Sequence, residues 1–319
     1  MGGSSKLKSA GRPDRARLYS CFDFHLRSAF PLGELNPAEV AGGARPVVDV
    51  RQGVLPEELP RGRVADYGLQ ISDESVMLTV TGTARYLIKG GREIVVDPFP
   101  SAAERNVRLF LLGSALGILC HQRGLLPLHA NAIVAGGVAV AFAGPSGVGK
   151  STLATHFQRA GYEVLCDDVC TIGFDAAGQP MAWPGLQRLK LWRDAAEVFG
   201  IDHHSIEPVC EEMEKYAVPL TRKMAAKPVP FRRLYVLSRA DEDGAGAIVQ
   251  IRGQTAMEAV MAQTYRALYL DPMGLRAQHF RHCAALLAHA EVYAAARTWG
   301  YDVFTREAAQ LERHAAGAA

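Results

Sequence analysis

Two short stretches carry the residue types that chemistry can use. "GPSGVGKS", Gly144 to Ser151, fits G-x-x-x-x-G-K-[ST] throughout. Gly144, Gly147 and Gly149 let the backbone turn its N–H groups inward around phosphate oxygens, with Pro145, Ser146 and Val148 between them. Lys150 reaches the β- and γ-phosphates, and the Ser151 hydroxyl suits Mg²⁺. A helix that opens at Ser151 and Thr152 aims its positive dipole end at the same anion. Residues 144–152 are therefore the expected nucleotide site, with ATP and Mg²⁺ as ligands.

The second stretch is "LCDDVC", residues 165–170. Cys166 and Cys170 could be half of a metal site, but no C-x-x-C or H-x₃-H stands nearby to complete one. Asp167 and Asp168 end a strand, "YEVLC", one short helix past Lys150. In α/β sheets ligands bind at that strand edge. If the chain stays extended, neighbouring side chains point to opposite faces. That favours two roles, one carboxylate on Mg²⁺ with Ser151 and the other accepting the proton of an acceptor hydroxyl. Spacing leaves their order open, with Asp167 taken as the metal ligand alongside Ser151. The two cysteines then read as small packing residues.

The elements around these stretches supply what they need. "VAVAFA" reads as a strand before the glycine loop and "STLATHFQRA" as a helix after it, stopped at Gly161. "HANAIVA" precedes them across a two-residue Gly136-Gly137 turn. That hairpin register brings His129 opposite Gly144, where an imidazole can orient a carboxylate or sense phosphate charge. Arg188 and Lys190 alternate on the strand-like "LQRLKLW" and are candidates for a phosphate or peptide-carboxylate contact. "HFRHC" places His279 and Cys283 one helical turn apart, a spacing that fits packing. Strand-like "RLYVLSR" (233–239) and helical stretches at 254–270 and 276–297 complete this part.

The first half differs. Residues 1–17 are polar and expected to be a disordered tail. Residues 18–100 are strand-rich, with "VMLTVTG" and a hairpin turning at Gly90-Gly91. At Ser101 the "SAAE" pattern predicts a capping box and a helix over 101–123 that joins the two domains. The second domain spans 124–314.

Bulk properties narrow the classes. The 319 residues suffice for two modest domains, and 49% hydrophobic with 21% charged residues is ordinary globular composition. A net charge of +2 argues against a dedicated nucleic-acid binder. Six irregularly spaced cysteines are too sparse for a disulfide scaffold. The longest apolar helical stretch, 109–120, is too short to span a bilayer, and the first twenty residues hold no apolar signal core. The expectation is a cytoplasmic chain with no nucleic-acid or membrane partner and with scope for homo-oligomers.

His129, the loop 144–151, Asp167 and Asp168 resemble, in order and spacing, the catalytic domain of HPr kinase/phosphorylase, a bacterial serine kinase. The resemblance covers residues 125–172. It implies an α/β fold, a P-loop HPr-kinase-like catalytic domain preceded by a small β-rich N-terminal domain, and active-site roles for His129 and both aspartates. "FDFHLRSAFPLGEL", "VRLFLLGSALGILCHQRGLLPLHANAI", "PGLQRLKLW" and "HFRHCA" extend it to the HPr-kinase-like proteins of lasso-peptide clusters. That implies a kinase for the C-terminal Ser of a precursor peptide. The alternatives are an HPr-type protein kinase/phosphorylase, a small-molecule P-loop kinase and a non-catalytic nucleotide-binding module.

Overall fold

The computed structural model describes residues 16–38, 45–186, 189–202, 206, 208–210, 213–218, 225, 227–240, 246–298 and 300–317. The first strands are β1 (Arg17–Cys21), β2 (Phe24–Ser28), β3 (Asn36–Pro37), β4 (Val47–Gln52), β5 (Arg63–Ala65), β6 (Leu69–Ile71), β7 (Ser75–Val80), β8 (Ala84–Lys89) and β9 (Glu93–Pro98). They form one sheet in the order β3-β1-β2-β4-β9-β8-β7-β6-β5. Strand alternation sorts its side chains cleanly. Val76, Leu78, Tyr86, Ile88, Ile94 and Val96 face one core, while Met77, Leu87 and Val95 face a smaller one under Leu55 and Leu59. Arg17, placed in the polar tail by the sequence reading, is the first residue of β1.

The large face is covered by a helical run: α1 (Glu104–Phe110), a π-helical turn (Leu111–Ala115) and α2 (Leu116–Gln122). It ends where expected but begins three residues late. Ala103 is the N-cap, with no side-chain capping bond, so the Ser101/Glu104 capping box does not form. Ala102 N–H instead closes a turn onto Phe99 O at 3.0 Å, holding the preceding residues out of the helix. Nor is the run only a joint. Val107, Leu111, Leu112, Ala115, Leu116 and Leu119 belong to the first sheet's core, and Leu125, Leu186 and Tyr269 continue that core into the second half.

The second half holds β10 (Leu126–Leu128), β11 (Ala130–Ala135), β12 (Val138–Ala143), α3 (Lys150–Arg159), β13 (Glu163–Cys166), β14 (Cys170–Phe174), β15 (Pro180–Trp183), β16 (Leu189–Trp192) and α4 (Arg193–Val198). After these come β17 (Pro208–Cys210), β18 (Met213–Val218), β19 (Val229–Arg239), β20 (Ile248–Ile251), α5 (Gly253–Ala262), α6 (Arg276–Leu287), β21 (Glu291–Arg297) and α7 (Tyr301–Ala316). At the centre β12, β19 and β21 run parallel; on one side the antiparallel β11 follows and then β13, which runs parallel to the centre again, and on the other side lies the antiparallel β20. The hydrophobic residues again alternate. Val140, Phe142, Tyr235 and Tyr293 meet Leu153 and Phe157 of α3 and Phe304, Ala308 and Leu311 of α7. Ala139, Ala141, Leu234 and Val292 meet Ala256 and Val260 of α5 and Cys283 and Leu286 of α6. The result is a three-layer α/β/α unit behind a β-rich N-terminal sheet. Among the described residues no helix is long and apolar enough to cross a membrane.

Three departures from the sequence expectations lie here, the first being that the helix expected over 254–270 ends at Ala262. The helix expected over 276–297 stops at Leu287, and "EVYAAAR" is the parallel strand β21. Its seven-residue register with β19 outweighs the helix preference of three alanines. The helix α7 was not anticipated at all, although Phe304, Ala308, Leu311 and Ala315 recur at helical spacing on the core side.

The loop-bearing strand rests on an aromatic stack. Phe142 lies 5.1 Å from Phe157 and 5.3 Å from Tyr235, ring centre to ring centre. Phe142 is fully buried, so Phe142→Ala is expected to cost ~3–5 kcal/mol through lost transfer energy and an unfilled cavity. Urea denaturation at neutral pH measures it, and a loss below ~1 kcal/mol counts against this packing.

Candidate active site

The site is built where β12, β19 and β21 end together. The Gly136-Gly137 turn pairs Ala135 with Val138 and Ala130 with Ala143, as the hairpin register required. The pairing ends there, and His129, the next residue, lines the same cavity as loop residues 146–152. Gly144 has φ 143°, and a side chain there would begin 2.6 Å from Leu237 O of β19, so the loop can leave the sheet only through glycine. Gly149, at φ 88°, is the N-cap of α3. Asn131, wholly buried on β11, donates through Nδ2 to Lys150 O and ties the first turn of α3 to the sheet. Lys150 itself is buried, and its ammonium donates to Gly144 O at 2.8 Å and Pro145 O at 3.1 Å.

Both aspartates come to this loop. Asp167 is 4% exposed; its Oδ1 accepts from Ser151 Oγ at 3.1 Å and its Oδ2 from the Lys190 backbone N–H at 2.7 Å. The extended geometry does not persist beyond it. Asp168 has φ 66°, a left-handed conformation that Asp tolerates better than most residues. That bend swings the Asp168 carboxylate onto Lys190 Nζ in an ion pair. Lys190 thus binds Asp167 through its backbone and Asp168 through its side chain. Arg188, its expected companion, lies outside the described residues.

The same bend explains the cysteines. Cys166 ends β13 and Cys170 opens β14, so they sit on two strands. Both are free and completely buried, and burial pushes the Cys166 thiol well above its ordinary range. Among the described residues no group of three or more His, Cys, Asp or Glu side chains is placed to hold a metal. His279 gives its Nε2 to Thr264 Oγ1 at 2.7 Å and to Cys283 Sγ at 3.4 Å.

A cavity of about 480 Å³ opens over the loop. Residues 146–152, His129, Asp168, Trp192, Arg297 and Phe304 are among those that line it. The last three were not singled out in the sequence. Trp192 ends the strand that carries Lys190, Arg297 ends β21, and Phe304 lies in the first turn of α7. A parallel strand end beside the loop was the signal, and it was hidden by reading β21 as helix.

Tyr265 is another residue the sequence did not reveal. Its ring packs edge-on to His129 at 6.1 Å between centroids, and the His129 backbone N–H donates to Gln263 O at 2.7 Å. Burial raises the Tyr265 hydroxyl pKa, Arg266 opposes the rise and Asp168 adds to it. On its far side the ring lies against Gly117 of α2, where a Cβ would approach to 3.1 Å. The helical run over the first sheet therefore reaches His129 through Tyr265.

Next to it, His121 Nε2 donates to Tyr265 O at 3.0 Å. Burial, helped by the charges of His279 and His282, pushes its pKa down from 6.5 to about 4. Folding thus favours the neutral ring. Its contribution is complete above the unfolded value and is lost as pH falls from 6.5 towards 4. Up to about 3 kcal/mol disappears across that window. Urea midpoints at pH 7 and pH 4.5 should show this loss, and His121→Gln should flatten it; an equal slope in both proteins would count against it.

Strand, glycine loop, helix and paired carboxylates define a P-loop α/β domain behind an N-terminal sheet. No family model and no curated protein matches the chain. Among solved structures, the HPr(Ser) kinase/phosphatase from Coxiella burnetii is similar at 13% identity with a TM-score of 0.31, over 59% of this chain and 95% of that one.

Proposed function

We propose that this chain is a kinase that transfers the γ-phosphoryl group of ATP to a serine hydroxyl of a small peptide. The observation that carries the reading is the division of labour at Lys190. Asp167 is drawn to Ser151 beside the loop, while Asp168 stands on the cavity wall. The loop amides and Lys150 bind the phosphates. Ser151 and Asp167, two hard oxygen donors in direct contact, suit Mg²⁺, which takes few protein ligands alongside phosphates and water. When bound, Mg²⁺ neutralises charge on the β- and γ-phosphates.

Asp168 accepts the serine proton as its oxygen bonds to the γ-phosphorus and the bond to the ADP oxygen breaks. His129, held edge-on by Tyr265, borders the same cavity and orients the acceptor side. Lys190 keeps Asp168 in place and offers its ammonium to the transferring group once the acceptor engages the carboxylate. The acceptor class rests on the sequence resemblance to lasso-precursor kinases, which points to a C-terminal Ser.

The test is incubation with Mg-ATP and three acceptors: a peptide ending in Ser, an HPr-type protein and small alcohols. Mass spectrometry reads the phosphate increment. Transfer to the peptide supports the reading. Transfer only to the HPr-type protein or to a small alcohol overturns the acceptor class, and nucleotide binding without transfer to any overturns the activity.

A further inference from the structure

One charged pair, of which Arg297 lines the cavity, has no part in that chemistry. Arg297, the last residue of β21, is 8% exposed, and Glu307 on α7 is 4% exposed. Arg297 Nε donates to Glu307 Oε2 at 3.3 Å. Glu307 Oε1 accepts from Thr298 N–H at 2.9 Å. The guanidinium lies over the Phe304 ring at 5.3 Å. Nε and one face are thus taken, and Nη1 points at the phosphate loop, 3.4 Å from where a Cβ on Gly149 would begin. Arg297 lines the cavity itself, at the parallel strand ends that also carry the loop and Ser238. Burial pulls its pKa down, with Glu307 resisting, yet a guanidinium stays charged in a protein.

A purely structural ion pair has no need to present its fork to a glycine loop. Burying a cation against one carboxylate gives little net stability, since desolvation offsets the attraction. What the arrangement provides is a guanidinium held with Nη1 against the loop, a group whose fork suits phosphate oxygens. We propose that Arg297 is a nucleotide-binding residue: its terminal N–H groups bind phosphate oxygens of a nucleoside di- or triphosphate at the Gly149 side of the loop, with Glu307 and Phe304 as its positioning residues. This rests on the nucleotide reading above and adds a second cation to Lys150. The ligand class is a nucleotide carrying at least two phosphates. The base is not what Arg297 recognises.

The test is competition against a fluorescent ADP derivative on the full chain with Mg²⁺. Arg297→Gln is expected to weaken ADP and inorganic pyrophosphate at least tenfold while adenosine competes as in the wild type. Equal affinity for ADP in folded Arg297→Gln overturns the inference alone. So does a parallel loss of adenosine and ADP, which marks a structural role. If Arg297→Gln does not fold, as judged by its melting curve, Arg297→Lys replaces it. The lysine keeps the charge but lacks the fork, and a several-fold loss for ADP and pyrophosphate only is expected. Failure of the wild type to bind any nucleotide overturns the parent reading and this inference together.

Discussion

Asp168→Asn is expected to lower phosphoryl transfer by ~10²–10⁴-fold while leaving the ATP dissociation constant within a few-fold of wild type. The substitution is chosen for the backbone. Asp168 sits at φ 66°, and Asn adopts that region as readily as Asp, so the bend after β13 survives. What disappears is the negative charge that pairs with Lys190 Nζ and, in the proposed transfer, would accept the serine proton. Asp167→Asn makes the useful contrast. Its Oδ1 faces Ser151, so its loss should raise the Mg²⁺ concentration needed for half-maximal transfer. Rates across a Mg²⁺ titration separate the two variants. An Asp168→Asn enzyme with undiminished transfer would remove the carboxylate from the chemistry. The reverse pattern, magnesium dependence in Asp168→Asn alone, would exchange the two roles.

How much of this was legible from residues alone depends on how local each determinant is. The loop and its flanking strand and helix are short-range features: glycines at required positive φ, a two-residue turn, a helix stop. They came out in register, down to Ala130 opposite Ala143. The approach of Ser151 to Asp167 followed because only one helix and one strand separate them. Where long-range pairing decides, the pattern misleads. β21 is flanked by β19 on one side and β20 on the other, with residues buried on both faces, and so lacks the alternation that marks a half-exposed strand. Its "AAA" then reads as helix, and Arg297 is carried out of sight of the loop. Asp168 is a different case. Opposite faces for the two carboxylates follow from an extended chain, and one left-handed residue overturns that premise. Nothing in "DD" announces such a bend, although Asp is among the few residues that allow it.

Lys150→Met should be as severe, and by a different route. In this conformation the ammonium is buried and donates to Gly144 O and Pro145 O, bracing the loop from within. To serve a nucleotide it must exchange those carbonyls for phosphate oxygens, a trade of one set of charge-assisted bonds for a stronger one. Methionine fills similar space but can do neither. On the transition-state side, losing a cation aimed at developing charge should cost at least about 10²–10³-fold in transfer, or roughly 3–4 kcal/mol. On the ground-state side, two carbonyls lose a charged donor, about 1–3 kcal/mol. Pro145 is exposed, so water can satisfy part of that demand and the lower end applies. The catalytic loss therefore exceeds the stability loss, and the variant should remain folded at 25 °C while inactive. Paired urea denaturation and transfer assays check both numbers. Transfer retained within tenfold would mean that the ammonium stays on its carbonyls throughout, and that the loop amides alone carry the phosphates.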